Sequence, residues 1–219
     1  EATIDSYKKA LKIKPDFAEA YNNLGNVLLK GKGDLEAAIE NYKCVIKINP
    51  DSSEAHYNMG IALQGLVFDK PSAGLLEIIS SILELKNYVR PTDIAKASIS
   101  LLKFEPAIKK LFEMHSAGEL KHSLERLISN LSEVPLLLKL MSMCPLPDLE
   151  LEVVLTDVRL ALLLSISEIS TSLEVLRFQS ALALQCFTNE YIYNQTDKET
   201  KGLLALEAVV EKIDIALLL

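Results

Sequence analysis

Tyr21-Asn22-Asn23-Leu24-Gly25-Asn26 and His56-Tyr57-Asn58-Met59-Gly60 are the two stretches whose comparison decides the fold of this chain. Laid over one another, they place Asn23 on Asn58, Leu24 on Met59 and Gly25 on Gly60. The same offset carries Tyr7 onto Tyr42, Ala10 onto Val45, Ile13 onto Ile48, Pro15 onto Pro50, Asp16 onto Asp51 and Ala20 onto Ala55. So many coincidences at one spacing mark an internal repeat of about 34 residues, a length built as stacked helical hairpins. Stacked hairpins form grooves that hold other chains. Binding rather than chemistry is therefore the first expectation for this stretch.

Each repeat divides into two helices. Ala18 to Lys30 is the first, with Tyr21, Leu24, Val27 and Leu28 on one face at helical spacing. Gly31-Lys32-Gly33 is the expected turn, where glycine supplies backbone conformations closed to other residues. Leu35 to Ile48 is the second helix, carrying Ala38, Ile39, Tyr42, Val45 and Ile48, and Pro50 ends it. Gly25 is small enough for the two helices to approach closely. The repeat is one residue longer than usual, and the extra residue is expected within 30–33, where an insertion costs little.

After Leu66 the repeat stops. A helix over about 75–85 is expected, then helices at 92–103, 106–115, 119–131, 134–143, 147–166, 172–193 and 197–217. Thr92, Ser132, Ser170 and Asp197 read as helix caps, and Pro106 and Pro147 as first-turn prolines. Val153–Leu164 and Leu173–Tyr191 are apolar around most of their circumference, as the central helices of a bundle are. Period-two alternation of useful length is absent, so the predicted fold is all-α: helical hairpins followed by a non-repeating helical bundle. The expected division is repeats over 1–66, a transition segment over 67–91 and the bundle over 92–219.

Composition narrows the function classes. The chain has 219 residues, 49% of them hydrophobic, and a formal net charge of −7. That charge leaves no basic stripe for phosphates and argues against nucleic acid. No run approaches the roughly 18 apolar residues of a membrane span. Cys44, Cys144 and Cys186 lie far apart with no C-x-x-C spacing, which suggests neither a zinc site nor a disulfide framework and fits a reducing, cytoplasmic setting. The chain starts at Glu1 inside a second helix and reads as a fragment of something longer.

These motifs carry two resemblances. The first 66 residues resemble the tetratricopeptide-repeat superfamily. Beyond them, Tyr88–Ala97, Ser100–Pro106, Pro145–Leu151 and Phe178–Asn194 are similar to the middle of bacterial proteins that join such repeats to a carboxy-terminal S-adenosylmethionine-dependent methyltransferase domain. That resemblance implies an enzyme elsewhere in the polypeptide. A methyltransferase needs a strand leading into a glycine-rich turn to hold its cofactor; Gly74, Gly118 and Gly202 are isolated, so no catalytic residue and no cofactor is assigned here. The expected function is a non-enzymatic interaction or scaffold region holding a protein or peptide partner. The alternative is a region that positions substrate for a methyltransferase domain outside the chain.

The asparagines of the first helices are the sharpest candidate site. In tetratricopeptide arrays the first helix of each unit lines the concave surface. Asn22 and Asn26 lie four apart on one face, and Asn23 and Asn58 hold equivalent places in successive units. An amide offers donor and acceptor together, so a row of them can grip the backbone of an extended peptide. The competing reading is that these residues bond locally or to water. A clamp for acidic peptide tails is disfavoured, because the equivalent surface carries Glu19 and Glu54 and only Lys30 as a cation. His115 and His122 supply too few ligands for a metal, and His56 stands where Tyr21 does, as packing. Met141 and Met143 read as core filling. The sequons at 130–132 and 194–196 carry no meaning if the protein is bacterial and cytoplasmic, as the resemblance implies. Ile4, Tyr7, Ala10 and Leu11 at one end, with Ile213, Ile215 and Leu217–Leu219 at the other, predict self-association as a homodimer.

Overall fold

The computed structural model describes residues 2–85, 89–165, 172–188 and 197–210. Among them all regular structure is helical, in twelve α-helices. The chain forms two compact units, Glu1–Phe104 and Glu105–Leu219.

The first unit holds α1 (Ala2–Ile13), α2 (Ala18–Val27), α3 (Leu35–Ile48), α4 (Ser53–Leu63), α5 (Ala73–Glu84) and α6 (Pro91–Leu102). Caps start two of these helices: Asp34 accepts from Ala37 N at 3.1 Å, and Ser52 accepts from Ala55 N at 3.3 Å. The turn after α2 departs from expectation. Instead of a loop at 31–33, the helix widens into a π-helical turn over Leu28–Lys32, and only Gly33 leaves it, with φ +63°. A π turn absorbs one extra residue without breaking the helix, and this is where the longer repeat is accommodated. Tyr42 is wholly buried in the notch at Gly25, where an added Cβ would lie 2.6 Å from the ring. Ile4 is buried, while Tyr7, Ala10 and Leu11 are half-buried on a helix that packs against α2.

Helix α5 packs on α3 and α4, and α6 packs on α4 and α5. Ile79, Ile82, Ile94 and Ile99 are fully buried there. The first unit therefore runs on through Phe104, past the residue-92 boundary drawn from the sequence, because α6 completes the cover of α4. Val89, just ahead of α6, is the side chain that fills the notch at Gly60. His56 is buried; its Nδ1 lies 2.8 Å from the Ser52 carbonyl, so Nδ1 carries the proton and Nε2 is left without a partner.

The second unit contains α7 (Pro106–Ser116), α8 (Leu124–Ser132), α9 (Pro135–Met143), α10 (Leu149–Leu164), α11 (Leu173–Thr188) and α12 (Asp197–Val210). A 3₁₀ turn at Leu120–Ser123 leads into α8. Helix α11 packs on α8 and α9, and α10 packs on α7, α8 and α12. Ile128, Leu137, Leu140, Met141, Val158 and Phe178 make the core. His115 Nε2 meets Asp157 Oδ2 at 2.8 Å, tying α7 to α10.

Several expected helix starts are corrected. Pro91 occupies the first turn of α6 and Arg90 the cap position without a side-chain bond, so Thr92 lies inside the helix. Ser132 ends α8, its hydroxyl donating to the Ser129 carbonyl. Asp148 caps α10 by accepting from Leu151 N at 2.9 Å, which places Pro147 ahead of the helix. Ser172 accepts from Val175 N at the start of α11. Asp197 is the first residue of α12 rather than its cap. Pro106 does stand in the first turn of α7. Ser170, the sequon at 194–196, the expected helix ends beyond 188 and 210, and Ile213–Leu219 lie outside the described residues, as does the His122 side chain.

Candidate interaction groove

The first helices α2 and α4 are joined at one face by two side-chain hydrogen bonds. Asn22 Nδ2 donates to Glu54 Oε1 at 2.7 Å, and Asn58 Nδ2 donates to Asn22 Oδ1 at 3.1 Å. Asn22 is only 7% exposed, so its carbonyl and one N–H are committed to the neighbouring repeat. Asn26 is held differently. The Tyr42 hydroxyl, reaching through the Gly25 notch, donates to Asn26 Oδ1 at 2.9 Å. That bond fixes which way the amide points and leaves both its N–H groups to donate elsewhere. Burial, with the Glu54 carboxylate as a lesser cause, pushes the Tyr42 phenol up to about 12, so it remains a donor throughout the physiological range.

The structure thus brings Asn22 and Asn58 together and sets Asn26 one turn along α2. Asn23 makes no side-chain hydrogen bond among the described residues and is half-exposed. By the repeat relation it lies on the edge of α2 turned away from α4, as its equivalent Asn58 lies on the edge of α4 turned toward α2. The groove reading takes these amides as available to a peptide; Asn22 instead spends one N–H and one acceptor site within the array.

Beyond the asparagines, the face of α4 turns apolar. Tyr57 is 51% exposed and Ile61 43%. With Gln64, Val89, Arg90 and Asp93 they line a cavity of about 280 Å³. Sequence reasoning passed over this pocket because Val89 sits outside the repeat register. It also passed over Glu54 as a partner of Asn22, although Glu19 and Glu54 recur at the repeat offset and could have signalled it.

The second unit has an open furrow of about 450 Å³ between α9 and α11, lined by Leu138, Leu173, Leu176 and Leu184 together with Lys139 and Arg177. Cys44, Cys144 and Cys186 are in no disulfide, and burial pushes the Cys144 thiol up to about 11.

Comparison with known proteins bears on the first unit. The family described as TPR repeat matches residues 1–31 and 28–67. Residues 1–67 are a tetratricopeptide-repeat segment. Such repeats serve as non-catalytic scaffolds for protein–protein interaction. The match ends at residue 67, so the expected link to a methyltransferase-bearing polypeptide is without support from it. No curated protein and no solved structure matches the chain. No helix among the described residues is long and apolar enough to cross a membrane.

Proposed function

We propose that this chain is an interaction module whose tetratricopeptide segment holds an extended peptide of a protein partner along the face shared by α2 and α4. The observation that carries the reading is the Tyr42–Asn26 bond. The fold fixes the acceptor of Asn26 on the Tyr42 hydroxyl and leaves its N–H groups without a partner among the described residues. A donor oriented in advance loses less entropy when a peptide carbonyl arrives. Asn22 and Asn58 each keep an N–H for the same purpose, and Asn23 continues the row at the outer edge of α2.

The test is selection of binding peptides from a random display library with the full chain, followed by titration by fluorescence anisotropy. Asn26→Ala is expected to weaken selected peptides roughly three- to tenfold, as loss of one net hydrogen bond of about 0.5–1.5 kcal/mol implies. Selected peptides that bind Asn26→Ala with unchanged affinity would show that the amide row serves only the fold.

A second reading draws on the furrow between α9 and α11, whose mostly apolar lining with a few polar groups is what a substrate-positioning surface requires. It assigns the second unit to holding substrate for a catalytic domain elsewhere in the polypeptide. Leu176→Asp would then lower turnover by the parent protein without changing peptide binding by the first unit.

A further inference from the structure

The two repeats present chemically different halves of one face, and the difference follows residue by residue. Asn22 corresponds to Tyr57, Asn26 to Ile61 and Glu19 to Glu54 at the repeat offset. The partner of Asn26 is Tyr42; the side chain in the equivalent notch beside Ile61 is Val89. A hydroxyl–amide pair in one repeat has thus become an aliphatic pair in the next, and the cavity of about 280 Å³ opens where the aliphatic pair stands. Such a volume admits an aliphatic side chain of leucine size with room to spare.

Charge supplies the second element. Glu54 is exposed, yet it is anchored by the bond from Asn22 to Oε1. Among the described residues, Oε2 has no hydrogen-bond partner and no cation lies within ion-pair distance of Glu54, Glu19 or Asp93. Among the described residues that line the cavity, Arg90 is the one cation and Asp93 the one carboxylate. With Glu54 and Glu19 included, the face carries net negative charge. An anchored carboxylate without a partner attracts a cation more effectively than a free one, because its orientation has already been fixed.

We propose that the occupant of this groove is an extended peptide with one aliphatic side chain seated between Tyr57, Ile61 and Val89 and a lysine or arginine reaching Glu54. This rests on the groove reading above and names the class of peptide it takes. Glu54 and Ile61 are seven residues apart on α4, about 10 Å along the helix at 1.5 Å per residue. Three residues of extended chain span about the same distance. The fitting sequence therefore sets the base and the aliphatic residue about three positions apart.

The probes are fluorescein-labelled ten-residue peptides containing one leucine and, three positions to either side, one lysine in an otherwise Ser/Gly/Thr background, titrated against the full chain. Expected results are binding that weakens with added salt, at least tenfold loss when the lysine is replaced by glutamate, and a similar loss when the leucine is replaced by serine. Glu54→Gln keeps an oxygen for Asn22 to donate to, and it is expected to erase the preference for lysine over glutamate. Ile61→Asn, at a half-exposed position, is expected to erase the preference for leucine with no change in the circular dichroism spectrum. If these peptides bind but lysine and glutamate versions are equal, or the glutamate version is favoured through Arg90, this inference is overturned while the groove reading stands. If neither they nor display-selected peptides bind along α2 and α4, both fall.

Discussion

Gly25 and Gly60 occupy equivalent places in successive repeats, and the chain fills the two notches with different side chains. At Gly25 the guest is Tyr42 from the second helix of the same hairpin, and its hydroxyl continues through to Asn26. At Gly60 the guest is Val89, from a segment ahead of α6 that does not belong to the repeat at all. The missing hydroxyl is matched by the exchange of Asn26 for Ile61 on the groove side. The lesson is that the notch does more than let helices approach. Whatever fills it from behind selects the polarity of the face in front, so one repeat offers oriented amides and the next an apolar pocket.

Removing the two guests gives the largest separation between the notches. Tyr42 is fully buried, and Tyr42→Ala is expected to lose about 3–5 kcal/mol, in the range of other buried aromatic truncations. Val89 is half-buried and smaller, so Val89→Ala is expected to lose only about 1–2 kcal/mol. Urea denaturation followed by circular dichroism measures both, and equal losses would mean that the Gly60 notch is packed as tightly as the Gly25 notch. Crowding the notches instead gives the next largest effect. Gly25→Ala gains about 1 kcal/mol of helix propensity but pushes a methyl into a ring that cannot turn aside, and a net loss of about 1–2 kcal/mol is expected. Gly60→Ala would press even closer on the short branched side chain of Val89, with Cγ1 at 2.8 Å and Cβ at 3.1 Å, and is expected to lose at least as much as Gly25→Ala in the same titration.

The repeat itself was legible because both hairpins obey one offset, and periodic matches need no knowledge of the third dimension. Helix α3 falls where Leu35 to Ile48 predicted it, since Asp34 and Pro50 both mark their ends locally. What the sequence hid were contacts made across the repeat boundary. Nothing local says that Asn22 will bond Glu54 and Asn58, because those partners are more than thirty residues away. Val89 was invisible for the same reason, having no counterpart in the preceding unit. Helix starts beyond the repeats were misplaced where a proline and a capping residue compete. At Pro91 the proline took the first turn and displaced Thr92, whereas at Pro147 the following Asp148 took the cap. The π turn at Leu28–Lys32 was missed because glycine at 31 reads as a turn residue, although the turn it joins is still helical.

A finer probe separates the hydroxyl from the ring. Tyr42→Phe keeps the packing and removes the donor to Asn26, so a loss of about 0.5–1.5 kcal/mol is expected. The same variant carries a pH signature. The phenol ionises near its ordinary value of 10.0 in the unfolded chain but only near about 12 when buried beside Glu54. Between those values the folded protein binds the proton that the unfolded chain has released, so stability falls as pH rises through that window and is intact below it. Tyr42→Phe is expected to flatten that decline relative to the parent. A decline of unchanged steepness in the variant would assign the alkaline loss to other groups.

The smallest expected difference lies between two neighbouring asparagines. Asn22→Ala removes the two bonds that join α2 to α4, but Glu54 is exposed and Asn58 half-exposed, so both can turn to water. The cost is therefore that of ordinary net hydrogen bonds with no group left stranded, about 1 kcal/mol. Asn23→Ala removes no side-chain bond among the described residues, and its stability is expected to stay within about 0.5 kcal/mol of the parent. Thermal denaturation of the two variants side by side makes the comparison. The order matters more than the size, because the sequence treats Asn22 and Asn23 alike while the fold uses only the first to couple successive repeats. Were Asn23→Ala the more damaging, the coupling would run through the other edge of α2, and the assignment of the shared face to α2 and α4 would have to be redrawn.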